Sequence, residues 1–191
     1  MGRRWKRALR AVAGVFLIAS VSIGGYLGGL QLTGNFHPVV AGQFYRSAQP
    51  TAEDIAYYAK NYAIKTIINL RGDNSGSSWY DAEIAQAKAL GITHVDFGMS
   101  ASRELTQAEA ATLVGILERA EKPVLIHCKA GADRSGLASA LYVAAVAKLG
   151  ETAAEEQISI RYGHFSLPLS EAYAMDRTFE AIEPWLGFHG S

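Results

Sequence analysis

Cysteine is nearly absent from this sequence. Cys128 is the single one among 191 residues, so no intramolecular disulfide can form and the fold cannot depend on one. In an exported protein such a thiol has no internal partner, though it stays open to sulfenic acid or mixed disulfides. Net charge is also missing: 18 Lys and Arg cancel 18 Asp and Glu, which removes any overall electrostatic reason to expect nucleic acid as a partner. Internal repeats and low-complexity tracts are absent. The histidines show no pair at metal-ligand spacing, and no metal or cofactor is implied.

What is present is strongly biased only at the start. Arg3, Arg4, Lys6, Arg7 and Arg10 precede an uncharged run over 11–30. About 20 residues at roughly 1.5 Å each cover the roughly 30 Å hydrocarbon layer of a bilayer. Residues 1–10 then form a basic cytoplasmic segment, 11–30 a transmembrane anchor, and the body lies on the outer or periplasmic side by the positive-inside rule. A cleaved signal peptide is the alternative, although the run continues through Gly24, Gly25, Gly28 and Gly29 without a clear cleavage site. A hydrophobic first helix packed within a soluble fold is a further reading, and Arg3-Arg4 match a twin-arginine signal poorly. Residues 31–43, with Gly, Asn, His and Pro and no helical periodicity, read as a linker, leaving one domain over 44–191.

Within that domain short β-rich runs alternate with helical patterns. Strands are expected over 65–70, 93–97 and 123–127. Thr51-Ala-Glu-Asp54 and Thr106-Gln-Ala-Glu109 are capping-box patterns that open helices running to about Tyr62 and Ala120. A helix over 80–90 ends at Gly91, and further helices are expected over 135–149, 152–161 and 169–182. The alternation predicts an α/β domain with a mainly parallel central sheet flanked by helices. Val124-Leu-Ile126, apolar throughout, reads as its central strand, which places a ligand site at that strand's carboxyl end.

Pro123-Val-Leu-Ile-His-Cys-Lys-Ala-Gly-Ala-Asp-Arg-Ser-Gly136 is then a buried strand, a short loop and a helix start. Backbone N–H groups from Lys129 through Ala130, Gly131, Ala132 and Asp133 to Arg134 can turn toward one centre, where the positive end of the helix dipole adds to them. A phosphate dianion fits such a hole. At its rim Cys128 would be stabilised as a thiolate nucleophile. The planar fork of Arg134 would hold two phosphoryl oxygens, and Ser135 can donate to the sulfur as it leaves. Gly131 allows close approach of the backbone and Gly136 close packing of the helix.

His127-Cys128, five residues, then Arg134-Ser135 resembles the protein-tyrosine and dual-specificity phosphatase superfamily at every defined position. Tyr45-Arg46-Ser47-Ala-Gln49-Pro50, Ile68-Asn69-Leu70-Arg71, Phe97-Gly98-Met99 and Arg103-Glu104 are similar to segments of its small atypical bacterial, fungal and plant members, over roughly 44–165. The resemblance implies a phosphocysteine intermediate, phosphorylated protein or a small phosphorylated molecule as substrate, and a structural role for His127 in fixing the loop. It also implies an acidic proton donor, for which Asp133 and Asp96 are the candidates, with Glu104 or water remaining. Asp73 reads as a turn residue. Arg46 and Arg71 read either as salt-bridge residues or as substrate contacts, and His94 and His164 as structural histidines without an identifiable partner. Inositol phosphates or phosphoinositides are alternative substrates. Rhodanese-type sulfurtransferases share the strand-end cysteine loop but lack the His-Cys opening. A membrane-anchored module that holds a phosphoryl group without cleaving it is the reading from another class.

Overall fold

The computed structural model describes residues 2–189, which divide into two units, one ending at Thr33 and the other starting at Gly34. The first is a single helix, α1 (Arg3–Leu32). Within Trp5–Leu32 an 18-residue stretch reaches a mean hydropathy of 1.8, and the helix is long and apolar enough to cross a membrane. Val15, Phe16 and Leu17 are exposed on it.

In the second unit a five-stranded sheet has the order β1-β2-β5-β3-β4. The strands are β1 (His37–Val40), β2 (Phe44–Ser47), β3 (Thr66–Asn69), β4 (Thr93–Asp96) and β5 (Val124–His127). β1 pairs antiparallel with β2, and the other pairings are parallel. β5 is central and buried along its whole length. Its side chains alternate between two cores, as the pleat requires. Val124 and Ile126 join Phe44, Ile68, Leu113, Leu137 and Phe179 in one, and Leu125 joins Tyr45, Ile55 and Ile67 in the other. The first core takes residues of α4 (Gln107–Arg119), α5 (Asp133–Leu141) and α7 (Ala174–Leu186), and the second those of α2 (Ala52–Tyr62) and α3 (Ser78–Ala89). Both expected capping boxes form, at Thr51 with Asp54 and at Thr106 with Glu109.

Four boundaries differ from the sequence expectation. Residues 31–43 are not a linker: Gln31 and Leu32 end α1, and β1 follows as an edge strand. The helix expected from Ser135 begins at Asp133 and closes in a π turn over Tyr142–Val146. The helix expected over 152–161 is only the short α6 (Glu151–Glu155), followed by a 3-10 turn at Ile160–Tyr162. It stops where the Gln157 carbonyl accepts a hydrogen bond from the Arg46 side chain (2.7 Å). The last expected helix, over 169–182, is a 3-10 turn at Glu171–Tyr173 followed by α7.

Candidate active site

The parallel register brings Ser47, His127, Asn69 and Asp96 into one row at the carboxyl ends of β2, β5, β3 and β4. From that row the chain runs through Cys128 and residues 129–132 into α5. The loop is held from outside by its carbonyls. Lys129 O accepts from Gln49 N (3.3 Å), Ala130 O from Asn35 Nδ2 (3.0 Å), and Gly131 O and Ala132 O from Arg46 Nη2 (2.9 and 2.8 Å). In a planar trans peptide the N–H points opposite the C=O, so four outward carbonyls turn the following N–H groups inward. N–H groups arranged in this way can receive an anion, and their support comes from Gln49, Asn35 and Arg46.

Arg46 is neither a surface salt bridge nor a substrate contact. It is fully buried on β2, forms no ion pair among the described residues, and lies 4.0 Å from the centre of the Tyr162 ring. Burial pulls its pKa down to about 10, against the attraction of Tyr162, Cys128 and Asp133. Asn35, also fully buried, gives a second bond to Tyr162 O (2.9 Å). Gly131 has φ of +71°, and a Cβ there would meet Ala48 N at 2.6 Å. At Gly136 a Cβ would meet Gln157 O at 3.0 Å.

Cys128 is buried beneath this loop. Arg134 donates from Nη1 to Met99 O (3.2 Å) and Leu70 O (3.3 Å), which fixes its guanidinium beside the ends of β3 and β4. Lys129 is exposed. Ser135 Oγ is buried with no hydrogen-bond partner, so the expected bond to the Cys128 sulfur is not made in this structure.

Behind the loop lies a buried carboxylate that the sequence did not signal. Glu83 Oε1 accepts from His127 Nε2 and from His94 Nε2, both at 2.8 Å, and Oε2 accepts from Gln49 Nε2 at 2.6 Å. Burial would raise the Glu83 pKa, but the bonds to the two histidines and Gln49 overcome it and hold it down at about 2. Gln49 Oε1 accepts in turn from Arg71 Nη1 (2.9 Å), and the Arg71 guanidinium stacks 3.7 Å from the Trp79 ring centre. Arg71, Arg103 and Arg134 line an open cavity of 540 Å³ together with Gly98, Met99, Ser100 and Ala101. Burial and the neighbouring Arg134 lower the Arg71 pKa. Arg103 is itself paired with Glu109 (2.7 Å).

The acidic candidates are all engaged. Asp96 accepts from Asn69 Nδ2 (2.8 Å) on one oxygen and from Tyr80 Oη (2.6 Å) on the other. Glu104 pairs with Arg177. Asp133 Oδ1 lies 2.8 Å from His164 Nδ1, and His164 Nε2 lies 2.8 Å from Asp176 Oδ2. His94 and His164 therefore do have partners, contrary to the sequence expectation. Asp73 accepts from Ser75 N (2.8 Å) as a turn residue. Among the described residues, the side chains grouped closely enough to hold a metal are Glu151, Glu155 and Glu183, none of which belongs to this loop.

Glu83, Gln49, Asn35 and Asp176 were invisible as site residues because their partners are distant in the chain. Glu83 and His127 are 44 positions apart and Asn35 and Ala130 are 95 apart, beyond the reach of any local spacing pattern.

Among known proteins, the dual-specificity protein phosphatase TpbA of Pseudomonas aeruginosa is 32% identical over 117 residues, which are 60% of this chain. The matched stretch spans about half (49%) of that relative's length. The crystal structure of P. aeruginosa TpbA superposes with a TM-score of 0.62 at 24% identity, over 81% of this chain and 92% of that one. TpbA has also been crystallised in complex with pTyr. The core catalytic domain of the PP-IP phosphatase SIW14 from S. cerevisiae superposes with a TM-score of 0.58 at 20% identity, over 82% of this chain and 94% of that one. These likenesses are of fold. The sequence model of the tyrosine phosphatase family matches residues 26–156, a stretch containing the whole of the Cys128 loop, and the chain belongs to that family.

Proposed function

We propose that this protein hydrolyses phosphomonoesters through a phosphocysteine intermediate. Cys128 attacks phosphorus, the leaving oxygen departs with a proton, and water then releases phosphate and restores the thiolate. Arg134 and the loop N–H groups bind the equatorial oxygens and balance the charge that builds in the transition state. The observation that carries this reading is the outward hold on four successive carbonyls by Gln49, Asn35 and Arg46. That hold preorganises an oxyanion cradle over the Cys128 thiol. Membership of the tyrosine phosphatase family supports proteins phosphorylated on tyrosine, or on tyrosine and serine or threonine, as the substrates, with residues 11–30 as membrane anchor and the domain on the outer side.

A second substrate reading has its own observation. The 540 Å³ cavity presents three arginines, and no carboxylate is among its lining residues. Cleaving a phosphoanhydride expels a phosphate, a good leaving group that needs little protonation, whereas an alkyl or aryl ester benefits from an acid. A pyrophosphorylated polyanion, in keeping with the fold shared with the PP-IP phosphatase SIW14, suits such a mouth.

The test uses the full chain in detergent with p-nitrophenyl phosphate and with a diphosphoinositol polyphosphate, which carries a phosphoanhydride. Turnover by wild type and none by Cys128→Ser supports the cysteine mechanism, and the ratio of the two substrates decides between the readings. A folded wild type that matches Cys128→Ser would leave the phosphoryl-binding module instead. A reporter fused at the C-terminus checks which side of the membrane the domain faces.

A further inference from the structure

His164 is sealed from solvent between two carboxylates carried by different helices. Asp133 is the first residue of α5 and immediately precedes Arg134, while Asp176 lies in the first turn of α7. Both ring nitrogens face carboxylate oxygens at 2.8 Å. A neutral imidazole has one N–H, so it can donate to only one of them; an imidazolium donates to both. Burial disfavours that charge, but the bonds to Asp133 and Asp176 outweigh it and the His164 pKa is raised. The loop on the other flank of Asp133 is tied to Arg46, through Gly131 O and Ala132 O. Residue 133 is thus fastened on one side by β2 and on the other by α7.

We propose that His164 and Asp176 are positioning residues that pin Asp133, so that Arg134 is aimed at the phosphoryl group, and that Asp133 serves this clamp rather than donating the leaving-group proton. A clamp and an acid make different demands. An acid matters most when the leaving group is poor, whereas misaim of Arg134 weakens the hold on the transition state whatever leaves. The inference rests on the phosphatase reading above. A misplacement of the guanidinium by a fraction of an ångström to one ångström costs about 10- to 100-fold in rate.

The experiment compares full-length wild type, His164→Asn, His164→Gln, Asp176→Asn and Asp133→Asn, all checked for folding by thermal melting. Each is assayed for kcat/KM on phenyl phosphate and on 2,4-dinitrophenyl phosphate, and for inhibition by inorganic vanadate. Vanadate takes the trigonal geometry that Arg134 must grip. Asn retains a donor where Nδ1 stood and Gln one where Nε2 stood, so His164→Asn keeps the bond to Asp133 and His164→Gln loses it. The expected result is a loss of about 10- to 100-fold for His164→Gln, equal on both esters, with vanadate inhibition weakened in parallel and partial recovery in His164→Asn. Asp176→Asn and Asp133→Asn follow the same pattern. If Asp133→Asn harms phenyl phosphate far more than the dinitrophenyl ester, Asp133 is the acid and the clamp assignment is overturned. It is equally overturned if folded His164→Gln and Asp176→Asn keep wild-type rates and vanadate inhibition. Absence of turnover in wild type, or its survival in Cys128→Ser, would instead remove the phosphatase reading itself.

Discussion

Glu83 Oε1 and His127 Nε2 meet at 2.8 Å with both side chains fully buried. This one contact joins α3 to the residue that precedes the cysteine, and Glu83 simultaneously serves His94 and Gln49. Replacing it by Gln keeps the shape but puts an amide where three donors converge. Because the folded Glu83 pKa is depressed from 4.5 to about 2, its ionised form contributes stability that is fully present above the unfolded value of 4.5. That contribution, on the order of 3 kcal/mol, disappears as pH falls through about 2. The melting temperature of wild type should drop steeply in that window, and Glu83→Gln should start lower at neutral pH and show a much flatter acid limb.

Arg46 offers a test of the loop's outer support. Arg46→Met fills similar volume but supplies no donors to Gln157 O, Gly131 O and Ala132 O. Ala132 O keeps its bond from Gly136 N (2.8 Å), but leaving the Gln157 and Gly131 carbonyls unpaired costs about 1 to 3 kcal/mol each, enough to lower the melting temperature by about 5 °C or more in a chain of this size. With the carbonyls released, their peptides can rotate and the inward N–H groups lose alignment. The loss in kcat/KM should therefore exceed what the fraction unfolded at the assay temperature accounts for.

Gly131→Ala should be folded but nearly inactive. The new Cβ would meet backbone atoms of Ser47 and Ala48 at 2.6 to 2.9 Å, and β2 cannot give way without losing its pairing with β5. Relief must come from the loop, with a fall in kcat/KM of about 100-fold or more. Gly42→Ala is the control, since it has a similar positive φ of +74° and nothing within 4 Å. It should cost about 1 to 2 kcal/mol of stability and leave catalysis unchanged.

The Asp133, His164 and Asp176 cluster predicts a second pH dependence, of opposite sign to that of Glu83. Burial works against the charged imidazole, the two carboxylates overcome it, and the folded pKa rises above 6.5. The stability this contributes is complete below 6.5 and is lost as pH climbs through the raised folded value. Thermal melts from about pH 5.5 to about pH 9 should show wild type and His164→Gln far apart in acid and converging in alkali. A constant gap across that range would mean that the ring contributes by packing alone.

The sequence made the central strand, the Cys128 loop and the two capping boxes legible because each is a local pattern. Val124 to Ile126 is a continuous apolar run, and Thr51 with Asp54 or Thr106 with Glu109 are neighbours on one helical turn. What could not be read is everything held by contacts between distant segments. Arg46 looks like a surface residue until β2 is known to lie beside β5, and Glu83 looks like any charge on an amphipathic helix. The helix over 152–161 was overextended because nothing local reveals that the Gln157 carbonyl is claimed by Arg46. His164 seemed solitary because Asp133 is 31 positions away, on the far side of two helices.

Asn35 sets a limit on how the domain can be separated from its apolar leader. The residue stands three places after the last residue of α1, yet it bonds to the Ala130 carbonyl and the Tyr162 carbonyl, and Gly34 O accepts from Ala48 N (2.8 Å). A peptidase or a cloning boundary that cuts before Gly34 frees an intact cradle. One that cuts at Phe36 removes Asn35, a strut of the Cys128 loop. Removal of α1 and an intact loop are thus compatible only for cuts upstream of Gly34 and Asn35, and a silent fragment beginning at Phe36 would be evidence about Asn35 rather than about Cys128.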